Sequence, residues 1–180
     1  MAMATLRRTI KTRPAPPRPG RRDTAVLRMA AGAIAAGAFH ELAGRATWFP
    51  GGEDLSVLDI ARQIGKVLEA EDDGASLAQK LARRFGWVPD PRLVERLAAT
   101  PCYVDEALKA MVARWVETYH VEVPFPPRTP VEARLTPGGA RALGTVVRVR
   151  RETAEVAVCV RRDGGYREHW FPVEQLERRQ

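Results

Sequence analysis

The chain has 180 residues, of which 45% are hydrophobic, and it carries a formal net charge of +7. This composition allows one or two small domains, and the absence of an apolar run of about 18 residues argues against a membrane-spanning helix. Its two cysteines, Cys102 and Cys159, lie far apart without a CxxC spacing. They are expected to be buried free thiols of a cytoplasmic protein.

Residues 1–22 are expected to form a disordered, basic, Pro/Arg-rich arm. Residues 1–28 contain eight Lys or Arg against a single acidic residue, Asp23, so the whole excess charge lies in this segment. The prolines between these cations block helix formation and favour extended chain. Because such arms commonly neutralise phosphates, we predict nucleic-acid contacts from Arg7, Arg8, Lys11, Arg13, Arg18, Arg21 and Arg22. Two alternatives stay open: a tail that only solubilises the chain, and a twin-arginine-like export signal.

Residues 23–120 predict a helical domain with five helices. Each expected start combines a small polar capping residue with an apolar stripe, and two of the starts add a proline in the first turn. The starts lie at Asp23-Thr24, Ser56, Ser76, Asp90-Pro91 and Thr100-Pro101. The first helix is expected to end near Leu42. The stripe of the fifth and longest helix, from Val104 to Tyr119, is interpreted as core.

The segment 81–87 resembles the first helix and turn of a helix-turn-helix, with the small residue Ala82 in place. Pro89 and Pro91 fall where a recognition helix would begin. This placement favours an ordinary helical hairpin with a solvated basic face. Two cations of that face, Arg83 and Arg84, remain candidate nucleic-acid contacts.

No catalytic or metal-binding motif is recognisable in the sequence. The three histidines have no spacing typical of metal ligands, and no phosphate loop, nucleophile elbow or dinucleotide fingerprint occurs. We therefore expect a protein without enzymatic activity, without a metal and without a cofactor.

Residues 121–130 are expected to form a stiff, Pro-rich linker, because four prolines occur from Pro124 to Pro130. Residues 131–180 predict a small β-barrel. Val156, Val158 and Val160 alternate with more polar residues, and Gly164-Gly165 supplies a tight turn. The valines expected to carry the stability of this barrel are Val147, Val156 and Val158.

Two stretches of this region carry a resemblance to known barrels. They are Gly144-Thr145-Val146-Val147-Arg148-Val149 and Trp170-Phe171-Pro172-Val173-Glu174-Gln175-Leu176. With them, residues 131–177 resemble the Src-homology-3-like barrels of the Tudor and KOW type. The resemblance implies a module that binds nucleic acid, a peptide or a neighbouring subunit.

Four further cations of the barrel are candidate contacts with nucleic acid. Alternation along the strands predicts that the side chains of Arg148 and Arg150 point outward. The full set is Arg148, Arg150, Arg161 and Arg162.

The sequence thus predicts an α+β protein, an N-terminal helical domain followed by a C-terminal Src-homology-3-like small β-barrel. The favoured function is that of a non-enzymatic accessory protein that binds nucleic acid through nonspecific phosphate contacts. The alternative is a protein–protein assembly factor, or a structural subunit of a larger complex, that docks through the barrel and the helices.

Overall fold

A computed structural model describes residues 15–39, 48–50, 55–134, 140–162 and 165–179. In these residues helices precede strands, which confirms the α+β class. The helices are α1 (Thr24–Phe39), α2 (Val57–Gly65), α3 (Gly74–Phe85), α4 (Pro91–Leu97) and α5 (Thr100–Tyr119). The strands are β1 (Pro130–Arg134), β2 (Arg141–Arg150), β3 (Glu155–Arg162), β4 (Gly165–Pro172) and β5 (Leu176–Arg178).

Short polar side chains fix the beginnings of three helices. Ser56 caps α2 by accepting a hydrogen bond from the backbone N–H of Asp59, as predicted. Asp90 caps α4 in the same way, and the N–H of Leu93 lowers the pKa of the Asp90 carboxyl by bonding its charged form. The start predicted at Ser76 is wrong by three residues, because Asp73 takes the capping position and α3 begins at Gly74.

The helical core is built around α1, whose alanines and glycines let the neighbouring helices approach closely. Gly37 illustrates this, because a Cβ built there would lie 2.0 Å from the hydroxyl oxygen of Tyr103 on α5. Phe39 packs edge-on against Trp48 and Trp87, with ring centroids 6.0 Å and 5.8 Å away. The fully buried aliphatic residues around this cluster are Val26, Ile34, Ile60, Ile64, Leu77, Leu81, Leu93, Leu97 and Val104.

The C-terminal strands form one antiparallel sheet in the order β4-β3-β2-β1-β5. A 3-10 turn, Val173–Gln175, connects β4 to β5. The sheet is compatible with a small barrel-like fold, but it is not closed in the described residues. Its core, separate from that of the helices, consists of Phe125, Val131, Ala133, Val146, Val156, Val158, Val160, Phe171 and Leu176.

The prediction that Val147 is a core residue is wrong, because a bulge interrupts β2. The pairing with β3 shifts between Val146 and Arg148. Val146 is therefore buried, with 1% of its surface exposed, whereas Val147 is 39% exposed. Val156 and Val158 are fully buried, as predicted.

Most of the predicted linker, residues 123–129, is attached to the sheet. Phe125 is buried in the sheet core, and Val123 packs against it. The backbone N–H of Arg128 donates to the carbonyl of Val146, and the N–H of Val146 donates to the carbonyl of Thr129. These contacts attach residues 123–129 to the bulged strand.

The two cysteines are free, but their expected burial is wrong. Cys102 is exposed near the start of α5, and Cys159 is half-buried on β3. Among the described helices, none combines the length and the apolar character that crossing a membrane requires.

Candidate nucleic-acid interface

An exposed aromatic side chain lies beside two guanidinium groups on the outer face of the sheet. In the strand register Arg148 of β2, Ala157 of β3 and Trp170 of β4 form one row across three strands. The guanidinium carbon of Arg150 lies 4.3 Å from the centroid of the Trp170 ring, and that of Arg148 lies 5.7 Å away. Trp170 keeps 37% of its surface exposed, so one part of its ring contacts arginine and another part faces solvent.

Carboxylates hold both guanidinium groups in place. Arg148 forms an ion pair with Glu168, two residues before Trp170 on the same strand. Arg150 donates to Glu155 at 3.2 Å, and Glu155 also accepts from the hydroxyl of Thr153 at 2.7 Å. The side chains of Arg148 and Arg150 are nevertheless 65% and 46% exposed, so both can contact a ligand.

The same face continues toward the β3–β4 turn. Tyr166 lies four residues before Trp170 on β4, is 74% exposed, and pairs in register with the exposed Arg161. Arg162 is the last residue of β3. We call Arg148, Arg150, Arg161, Tyr166 and Trp170 the stacking face.

A compact charge network occupies the opposite end of the sheet. Glu177 pairs with Arg134 and Arg141, and Arg141 also donates to Glu132 at 3.0 Å. The hydrogen bond from Arg134 lowers the pKa of Glu177, and the hydrogen bond to Glu132 raises the pKa of Arg141. The network contains two arginines and two carboxylates, so its charges balance.

The described part of the arm differs from the free chain that its prolines predict. Arg18 donates to the backbone carbonyls of Thr153 at 2.8 Å and Ala154 at 3.3 Å. Its guanidinium also lies 3.5 Å from carboxylate oxygens of both Glu155 and Glu174. Only 15% of the Arg18 side chain is exposed, so it contacts the sheet and is not available to phosphates.

The next two cations of the arm pair with the helical unit. Arg21 lies 3.2 Å from Asp105 on α5. Arg22 lies 2.7 Å from Glu71, and this hydrogen bond raises the pKa of Arg22 and lowers that of Glu71. The other predicted contacts of the arm, Arg7, Arg8, Lys11 and Arg13, lie outside the described residues.

The candidate residues of the helical hairpin lie on a different unit from the stacking face. Arg83 and Arg84 are exposed on the last turn of α3, where Gly86 ends the helix in the left-handed region. The helix that follows, α4, has seven residues and is capped by Asp90. The structure thus distributes the predicted cations over the arm, α3 and the sheet. It places Arg148 and Arg150 beside Trp170, and Arg161 beside Tyr166 further along the same face.

Sequence reasoning missed Trp170 and Tyr166 as parts of this surface. The two residues are separated by four positions in a strand, and this even spacing places them on one face. That spacing could have revealed them, but aromatic residues in a short barrel are more often assigned to its core.

The described residues contain no group of three or more His, Cys, Asp or Glu side chains that could hold a metal ion. Comparison of the chain with protein-family models, with curated proteins and with solved structures finds no match.

Proposed function

We propose that this protein binds single-stranded nucleic acid without sequence preference, and that the stacking face is the binding surface. The observation that carries the proposal is the placement of Arg150 at 4.3 Å from the exposed ring of Trp170. Proteins that bind single strands combine aromatic side chains, on which bases stack, with cations that follow the phosphates. The stacking face has both components.

The chemistry assigns a role to each component. Trp170 and Tyr166 offer exposed rings four residues apart on one face of β4, and each ring can stack on one base. Arg148 and Arg161 flank these rings and can contact the phosphates between the bases. Phosphates compete with Glu168 for Arg148. Binding is expected to weaken as salt rises, because phosphate contacts release condensed counterions from the nucleic acid.

The strand order supports a finer assignment of the sheet as a Src-homology-3-like barrel. In this assignment β2, β3 and β4 form a meander, β1 joins β2 to β5, and the 3-10 turn Val173–Gln175 precedes the last strand. Because small barrels of one fold bind many unrelated ligands, the assignment agrees with the proposed function without carrying it. We propose further that the arm adds nonspecific phosphate contacts through Arg7, Arg8, Lys11 and Arg13.

A labelled oligonucleotide of mixed sequence tests the proposal by fluorescence anisotropy over a salt titration. Trp170→Ala should weaken binding at least fivefold, because each lost base stack is worth about 1–3 kcal/mol. Arg148→Ala/Arg150→Ala should weaken binding and lower the slope of log affinity against log salt by about one to two.

The matched control is Arg62→Ala/Lys66→Ala, which removes the same charge from the exposed surface of α2. Like Arg150, Arg62 is paired with a carboxylate, that of Asp59 at 3.2 Å. If the two double variants bind equally well, affinity depends on net charge alone and the stacking face has no specific role. Alanine at Arg7, Arg8, Lys11 and Arg13 measures the contribution of the arm separately.

A second candidate function is docking on a protein partner as an assembly factor or structural subunit. Two exposed aliphatic side chains favour it, Leu143 at 52% and Val147 at 39% exposure, both on β2. Stable co-purification with one protein at high salt after nuclease treatment would support this function. Under the same conditions a nucleic-acid complex should dissociate.

A further inference from the structure

Residues 16–19 read Pro-Pro-Arg-Pro and contact both the helical unit and the sheet. We call this segment the clasp. The indole N–H of Trp115 on α5 donates to the backbone carbonyl of Pro16 at 3.0 Å. Two residues later, Arg18 reaches the carbonyls that precede β3. One short segment therefore makes specific contacts with both the helical unit and the sheet unit.

The contact on α5 has the chemistry by which proteins recognise polyproline chains. With the clasp in place, Pro16, Pro17 and Pro19 lie on one side of an open groove of about 360 Å³ that Trp115 and Tyr119 also line. Proline-rich ligands dock in aromatic grooves of this kind, where an indole N–H bonds one of their carbonyls. Pro19 also lines the cleft beside Arg18, so the clasp reaches from the groove to the cleft.

The receptor for Arg18 is held in place by contacts that do not involve the clasp. The carbonyl of Ala154 also accepts from the N–H of Val173 at 3.0 Å. The hydroxyl of Thr153 bonds Glu155, and Thr153 itself is 4% exposed. Two backbone carbonyls and two carboxylates thus form a preorganised acceptor set for one guanidinium, at the edge of a cleft of about 370 Å³.

We propose that α5 and the turn before β3 form a binding site for proline–arginine segments, which the clasp fills in cis and a partner's segment of the same chemistry fills in trans. The contact is suited to exchange, because Pro16 and Pro17 remain exposed on their outer side. The clasp also lies outside the helices and strands. Trp115 and Tyr119 are not part of the stacking face, but the two sites share Glu155, which pairs with both Arg18 and Arg150.

Tethering explains why a free peptide must compete against the clasp. A short linker gives an intramolecular ligand an effective concentration in the millimolar range. A free segment of equal intrinsic affinity therefore binds the unmodified chain poorly. Arg18→Glu should release the clasp, because it places a carboxylate against Glu155, Glu174 and two carbonyl oxygens.

The test uses the full chain and a fluorescent peptide with the sequence of residues 13–22, with anisotropy as the readout. The Arg18→Glu chain should bind this peptide at least tenfold more tightly than the unmodified chain does. Trp115→Phe, added to Arg18→Glu, keeps an aromatic ring but removes the N–H donor, and should reverse most of the gain. Circular dichroism confirms that each variant is folded.

Two control peptides separate recognition from charge. Replacing the prolines at positions 16, 17 and 19 with alanine keeps every cation, and replacing Arg18 with alanine keeps every proline. Both should bind the Arg18→Glu chain at least fivefold more weakly than the native peptide. The proposal is overturned if the alanine-for-proline peptide binds equally well, or if Arg18→Glu leaves native-peptide affinity unchanged.

A second site variant keeps the test decisive if Trp115→Phe unfolds the chain. Glu174→Gln removes a partner of Arg18 whose side chain is 41% exposed, so little loss of stability is expected. Introduced into the Arg18→Glu chain, it should weaken binding of the native peptide. Unchanged affinity would contradict the assigned receptor for arginine.

Discussion

The helical unit and the sheet unit form their cores from different kinds of side chain. The helical core contains aromatic rings in edge-to-face contact, Phe49 and Trp87 among them at 4.9 Å, together with fully buried isoleucines and leucines. The sheet core consists mostly of valine and alanine, with Phe125, Phe171 and Leu176 as its larger side chains. Small side chains bury less apolar surface per residue. We therefore expect a smaller free energy of unfolding for the sheet unit than for the helical unit.

The sheet unit compensates by recruiting residues from outside its strands. Phe125 and Val123 come from the segment that precedes β1, and Val173 comes from the 3-10 turn. Arg18 adds contacts from a segment more than a hundred residues away in sequence. A fragment that begins at Thr129 therefore lacks part of the core, and one that begins at Val121 is the better choice for testing independent folding.

The largest expected effect separates the two cores directly. Phe171→Ala should destabilise the sheet by roughly 3–5 kcal/mol, because it leaves a large cavity in a small core. Leu81→Ala should destabilise the helical unit by roughly 2–5 kcal/mol. Hydrogen exchange should show lost protection in β1–β5 for the first variant and in the helices for the second.

The contrary outcome is a loss in both units. If either variant lowers the hydrogen-exchange protection of amides in both units to the same extent, the two cores unfold as one cooperative body. In that case the clasp and residues 121–129 couple them more strongly than their separate cores imply.

The starts of α2 and α4 and the β3 strand could be predicted because their causes are local. Asp90 followed by Pro91 specifies the first turn of α4 by itself. In β3, alternating valines specify the core face, and Val156, Val158 and Val160 are buried there; Ala157 on the other face is fully buried as well. The position of Arg18 could not be predicted, because its acceptors lie 135 and 136 residues away and a Pro/Arg-rich segment has the composition of solvated chain.

The bulge in β2 provides a second, smaller test within the sheet. Val146→Ala should destabilise the protein by roughly 2 kcal/mol, since two buried methyl groups are lost. Val147→Ala should change stability by less than about 0.5 kcal/mol, because Val147 is exposed. Chemical denaturation measures both, and the reverse order would mean that β2 is paired without the bulge.

Val146 and Val147 also show why part of the candidate site could not be predicted from the sequence. Two adjacent valines carry no information about which one faces the core, so a shift of one residue cannot be detected. After the bulge, Arg148 and Arg150 return to the outer face, where Ala157 separates Arg148 from Trp170. The cations were predicted to point outward, but their meeting with Trp170 depends on the register of three strands.

The smallest expected effect concerns the segment that joins the two units. His120, directly after α5, and Arg128, two residues before β1, have φ values of 50° and 70°. Both residues are exposed, and L-residues other than glycine are strained in this left-handed region. His120→Gly and Arg128→Gly should therefore each stabilise the chain by about 0.5–1 kcal/mol, less the entropy that glycine adds to the unfolded state.

The two glycine variants form a matched pair, because each should act on its own unit. His120→Gly should raise the protection of amides in the last turn of α5, where the N–H of His120 bonds the carbonyls of Val116 and Glu117. Arg128→Gly should raise protection around Val146, which bonds residues 128 and 129. Ala154, also at positive φ but fully buried, should lose stability on the same change, because its Cβ fills the core. A gain at Ala154 would show that relief of backbone strain outweighs the lost packing of its Cβ. A loss at either exposed position would show that the entropy of glycine in the unfolded state outweighs the strain.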